Sequence, residues 1–180
     1  MGMLLMSIGT GIKIKEEESK KSQGHGIAFA IEESKADNLY FLCTKESKDT
    51  LNYVKEYLSP EKKIIFRNKH IKILSGMSDI NTLIKEMKEV FDEIKENKIT
   101  VVPVFGTKMM TSSLTILGIL YNAKIYSVEG ERINGIVKEG TEKWESQNYY
   151  RIMNMFYLEK TLDLFNKYQY TAADEYLNKI

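Results

Sequence analysis

Short apolar runs alternate with amphipathic stretches along most of the chain. Met3–Ile8 is the first run and ends in Gly9-Thr10-Gly11, as a buried parallel strand followed by a turn would. The charged stretch Lys13–Lys21 has no period and reads as a solvated loop. Ile27, Ala28, Ala30 and Ile31 then fall at helical spacing within Gly26–Lys35. Leu39–Thr44 is a second buried strand, and Leu51, Val54, Tyr57 and Leu58 form one face of a helix over Lys48–Leu58 that Pro60 stops. Lys63–Phe66 and Ile71–Leu74 both alternate like strands. Ser78 is placed to cap a long helix with the stripe Ile80, Leu83, Ile84, Met87, Val90, Phe91 and Ile94. Ile99–Val104 is the most apolar strand and the expected centre of the sheet. It runs into Gly106-Thr107-Lys108 and an apolar helix, Met110–Tyr121. Lys124–Val128 is another strand, and Arg132–Lys138 reads as a short edge hairpin between Gly130 and Gly140. From Glu145 on the strand signal ends. Two helices follow, the first carrying Ile152, Met155, Phe156, Leu158, Leu162 and Phe165, the second over Thr171–Asn178.

This order predicts an α/β fold: a Rossmann-like open, mostly parallel sheet with helices on both faces, plus a short C-terminal helical segment. The expected division is a ligand-binding domain over residues 1–144 and a helical extension over residues 145–180. The 180 residues, 43% hydrophobic, suffice for one full core. Charge adds a constraint. With 26 basic against 25 acidic residues, no overall field draws in nucleic acid or membrane, so any polyanion has to be held locally. The one cysteine, Cys43, lies within an apolar run and reads as a small buried hydrophobe in a reducing compartment. No apolar run approaches a bilayer span, and the Met1-Gly2-Met3-Leu4 start lacks a basic stretch and cleavage site. A cytoplasmic location is therefore expected.

Open parallel sheets bind ligands beyond the carboxyl ends of their strands, where strand order reverses. Two strand ends here suit an anion. Ser7-Ile8-Gly9-Thr10-Gly11 combines glycines, which permit close backbone approach, with two hydroxyl donors. Phe105-Gly106-Thr107-Lys108-Met109 opens a helix, whose first amides point at whatever lies above the strand. Lys108 opposes the helix dipole there, an arrangement an anionic partner would offset. This second loop lacks Walker spacing. A dinucleotide fingerprint is also missing: Ile14 stands at the third glycine, and Lys45 then Glu46 follow the second strand. Those absences count against a nicotinamide or flavin enzyme, and no cofactor is expected. His25 and His70 read as structural or exposed. Arg67-Asn68-Lys69-His70 is too short for a helical nuclease pair, and no cluster has metal-ligand spacing. In residues 151–180 four basic residues face four acidic ones, so no DNA-reading surface is expected.

Several motifs together resemble the CARF domain, the CRISPR-associated Rossmann fold of type III CRISPR accessory and ancillary effector proteins. The strongest part is residues 99–140. It comprises Gly106-Thr107-Lys108-x-Met110 after an apolar strand and a helix with Ser112, Ser113 and Gly118. Ile125-Tyr126-Ser127-Val128-Glu129-Gly130 follows, with Arg132 and Gly135-x-Val137-x-x-Gly140. Ser7-Ile8-Gly9-Thr10 and Leu39–Ser47 fit the same family, and Leu164–Ala173 is similar to a helical segment that follows the domain in one branch. Phe105 stands where the family often has a glycine, and Val102, Pro103 and Val104 stand where it often has polar residues. The resemblance implies a sensor that binds a cyclic oligoadenylate, tetra-adenylate in preference to hexa-adenylate, across a homodimer. The implied ligand contacts are Ser7, Ile8, Gly9, Thr10, Gly11, Phe105, Gly106, Thr107, Lys108 and Met109, with Phe105 and Met109 as surfaces for the bases. The alternative it implies is a ring nuclease, metal-independent, using Ser7, Thr10 and Lys108. An effector is expected downstream or on another chain. No membrane and no direct DNA partner are expected.

Overall fold

The computed structural model describes residues 2–10, 16–75, 79–95, 98–133 and 136–179. They divide into two compact units, Met1–Gln147 and Asn148–Ile180. In the first, strands β1 (Met3–Ile8), β2 (Asn38–Cys43), β3 (His70–Ile73), β4 (Ile99–Phe105) and β5 (Lys124–Glu129) are joined by helical crossovers. Two-stranded β6 (Arg132–Ile133) and β7 (Ile136–Val137) follow, then β8 (Lys143–Gln147). The main sheet has the order β3-β2-β1-β4-β5-β8, with β8 antiparallel and the other pairings parallel.

Side chains on successive strand residues point to opposite faces, and each face has its own helix layer. Leu4, Met6, Ile8, Phe41 and Val102 pack with Ile27 and Ile31 of α1 (Glu16–Glu33), Val54 of α2 (Leu51–Tyr57) and Phe66 of α3 (Pro60–Arg67). Across the sheet, α4 (Ile80–Glu93) packs with α5 (Lys108–Leu120), and α5 lies against β4 and β5. Gly118 brings it down so far that a Cβ would meet Ile125 Cδ1 at 3.1 Å. Cys43 is fully buried, and that burial pushes its thiol up to about 12.

Four local expectations change. Residues 16–21 of the charged stretch are helical and begin α1; Lys13 and Lys15 lie outside the described residues. Lys63–Phe66 is part of α3 rather than a strand. Pro60 occupies its first turn, where a missing N–H costs nothing, and the Ser59 hydroxyl accepts the Lys62 amide at 3.4 Å. Asp79 caps α4 by accepting the Thr82 amide at 2.9 Å, while Ser78 lies outside the described residues. Residues 143–147 form the edge strand β8, so the expected division at residue 144 falls inside a strand. Its one large apolar residue, Trp144, stacks on Tyr126 with centroids 4.5 Å apart, and the rest is polar because the strand is an edge.

The second unit is α6 (Tyr149–Asn166) and α7 (Tyr170–Leu177). The turn between them is a Schellman motif. Tyr168 takes the left-handed conformation (φ 59°), and the amides of Gln169 and Tyr168 bond the carbonyls of Leu164 and Phe165, both at 3.0 Å.

Candidate functional site

The two strand-end loops meet. Strand order reverses between β1 and β4, so their adjoining carboxyl ends form the switch point of the sheet. Pro103 has no N–H to give to the ladder, and the register slips there: Met6 pairs with Val102, but Ile8 pairs with Phe105. Beyond the slip the Gly9 amide donates to the Phe105 carbonyl at 2.7 Å. Gly9 is required at that contact, because a Cβ would lie 2.6 Å from the same oxygen. The Gly9 carbonyl accepts the Thr50 hydroxyl at 3.0 Å, which ties in the turn after β2. Within that turn Thr44 and Ser47 bond reciprocally, amide to hydroxyl, at 2.8 and 3.2 Å.

The expected contacts sort by depth. Ser7, Ile8 and Gly9 are buried, whereas Thr10, Gly106, Thr107 and Met109 are partly open and Lys108 is exposed. Gly11 lies outside the described residues. Ser7 Oγ is sealed beneath Gly106, at 2.7 Å from where a Gly106 Cβ would stand, and has no hydrogen-bond partner among the described residues. Phe105 turns toward α1, and its ring edge lies 2.9 Å from the position of a Gly26 Cβ. Its ring is thus partly committed to packing against the helix layer.

Above this floor α5 begins. Thr107 is its N-cap, with its hydroxyl accepting the Met110 amide at 3.4 Å and its carbonyl accepting the Thr111 amide at 2.8 Å. The amides of Lys108 and Met109 carry no hydrogen bond among the described residues. Two free amide donors and the positive helix end therefore stand at the switch point, with the exposed Lys108 in the same first turn, an arrangement suited to a phosphate. Among the described residues no group of three or more His, Cys, Asp or Glu could hold a metal ion. Sequence reasoning missed Thr50 and Gly26, which brace the site. Thr50 sits in a polar turn with no pattern, and Gly26 read only as an opening to a helix.

No family model and no curated protein matches the sequence. Solved structures do match. Csm6 from Enterococcus italicus, bound to cyclic hexa-2'-fluoro-hexa-dAMP, superposes with a TM-score of 0.68 at 12% identity, over 99% of this chain and 50% of that one. Can2 from Sulfobacillus thermosulfidooxidans, in complex with cyclic tetra-adenylate, gives 0.52 at 9% identity, over 93% and 49%. The fold is shared with these proteins. That agrees with the resemblance to the CARF domain read from residues 99–140 and with the expected Rossmann-like class. The chain spans about half the length of each. Among the described residues no helix is long and apolar enough to cross a membrane.

Proposed function

We propose that the chain is a cytoplasmic sensor that binds a cyclic oligoadenylate in type III CRISPR defence. The ring lies over the joined ends of β1 and β4, on the two-fold axis of a homodimer. The observation that carries this reading is the α5 N-terminus, where the open Lys108 and Met109 amides and the exposed Lys108 stand beside the Gly9–Phe105 junction. A cyclic ligand with repeated phosphates matches a symmetric pair of such ends, and two copies double the few cations one chain supplies. The contacts open to it are Thr10, Gly106, Thr107, Lys108 and Met109, with Ser7, Ile8, Gly9 and Phe105 forming the floor beneath them. Both ring sizes occur in the fold neighbours; tetra-adenylate is the ring proposed here. An effector continuous with this chain, or on a separate one, would answer the ligand.

Calorimetry with cyclic tetra-adenylate, cyclic hexa-adenylate and linear adenylate tests the proposal. One ring per two chains is expected, with the tetramer tightest. If neither ring binds more tightly than about 10 μM, roughly −7 kcal/mol, the reading fails. Cleavage of the ring is the second reading. A ribose 2′-hydroxyl would attack the adjacent phosphorus to form a 2′,3′-cyclic phosphate, its proton passing to water while the expelled 5′-oxygen takes one from water. Thr10 and Lys108 are the hydroxyl and cation open to that phosphate. Linear products accumulating from the cyclic ligand, and failing to do so in Lys108→Ala, would establish it.

A further inference from the structure

Helix α1 carries Gly24-His25-Gly26 in its interior, where glycine is unfavourable unless something needs the space. Both glycines are needed here. A Cβ on Gly24 would stand 2.8 Å from Tyr53 Cβ of α2, and one on Gly26 would stand 2.9 Å from the Phe105 ring. Between them His25 faces the segment that follows β7. Its Nδ1 lies 2.6 Å from Glu142 Oε1 and its Nε2 3.5 Å from Glu139 Oε1. The Glu142 side chain is only 4% exposed, and its other oxygen accepts the Gly140 amide at 2.8 Å. Tyr57 of α2 closes the remaining side, edge to face, at 4.9 Å.

The segment over residues 137–142 is held at its other end too. Lys138 donates its amide to the Glu131 carbonyl at 2.8 Å, Thr141 Oγ1 accepts the Glu131 amide at 3.1 Å, and Ser22 Oγ donates to the Val137 carbonyl at 3.4 Å. It is therefore a strap from the end of β5 to the middle of α1. A continuous set of contacts leads from Glu142 through His25 and Gly26 to Phe105, and from the Phe105 carbonyl to Gly9.

We propose that His25 is a positioning residue: by holding the strap to α1 through Glu142, it seats Gly26 against Phe105 and keeps the Gly9–Phe105 junction in place. A histidine that only filled space could be replaced by any side chain of its size. A positioning one needs its N–H toward a buried carboxylate, because an unpaired buried charge is costly.

Hydrogen exchange of the whole chain tests this, with His25→Leu and His25→Gln compared. In His25→Leu the amides of Lys138 and Thr141, in the strap, and of Gly9, in the site, should exchange at least about tenfold faster. His25→Gln keeps an amide donor for Glu142 and should restore most of the protection at all three. Equal exchange in the two variants, or a faster strap with an unchanged Gly9, overturns the proposal. Should His25→Leu unfold the protein, Glu142→Gln, which keeps the shape and removes the charge, should give the same pattern more weakly; unchanged Gly9 exchange there also overturns it. The consequence for ligand rests on the proposed function. Cyclic tetra-adenylate should bind about tenfold more weakly to His25→Leu than to His25→Gln. If the unaltered chain binds no ring, the functional reading fails, and the exchange data still judge the positioning role.

Discussion

In the sheet unit Leu4, Ile27, Phe41 and Leu83 are fully buried between the sheet and its two helix layers, whereas in the helical unit Ile152, Phe156 and Phe165 are more than half exposed. Both regions are rich in apolar residues. The difference lies in how many elements share the work of covering them. A sheet with helices on both faces buries alternate residues on each side. A pair of helices has only one mutual contact line, and here it buries little beyond Thr161, Leu164 and Ala173. Met155, Leu158, Leu162, Tyr170 and Leu177 are exposed as well. The sheet unit thus specifies its own closed core, whereas the helical unit leaves large apolar side chains in solvent. In the proposed homodimer a second copy of the chain would cover them.

If the strand-end floor is closed and the helical face open, substitutions in the two places should behave in opposite ways. Gly9→Ala should have the largest effect, because its Cβ would meet a backbone carbonyl rather than a movable side chain. A loss of about 2–3 kcal/mol in urea unfolding is expected, together with loss of ring binding. A near-neutral result would mean that the two loops are not locked. Lys108→Ala comes next. Removing a charge-assisted phosphate contact of about 1.5–3 kcal/mol should weaken ring binding more than tenfold. Stability of the empty protein should hold or rise slightly, because the charge opposes the helix dipole. Lys20→Ala should show only a small loss that vanishes with added salt; equal losses from the two variants would place the binding surface elsewhere.

On the open side, Phe156→Glu combined with Leu162→Glu should leave unfolding of the sheet unit within about 0.5 kcal/mol of the parent. The same change should shift light scattering from dimer toward monomer; a parent that is already monomeric would sink the paired-face reading. The smallest effect belongs to Ser7→Ala. Its buried hydroxyl has no partner among the described residues, so its removal should be neutral or gain up to about 1 kcal/mol. A loss of that size would instead reveal a hydrogen bond made by Oγ in solution.

Most of the architecture was legible along the chain because buried strands and amphipathic helices have different periods. Residues 99–120 show this well: strand, glycine, cap and apolar helix stand in the order they fold. The misreadings occur where the local pattern is too short to carry a period. Ile64, Ile65 and Phe66 look the same in a strand or in one turn of helix, and Pro60 starts α3 as readily as it stops a helix. Lys143–Gln147 is polar because only one of its faces meets the core.

The class of fold, the two strand-end loops, and the cap and lysine that open α5 each depend on residues adjacent in the chain, so the order of residues was enough to set them. Tertiary structure alone decided that the loops meet, since the pairing of β1 with β4 spans about half the chain and turns on a register slip at Pro103. It also decided depth. Ser7 and Lys108 are both polar residues beside glycine loops, yet one is sealed under Gly106 and the other reaches solvent. Burial is set by what packs on top of a residue, and here that is a helix start about a hundred residues further along the chain.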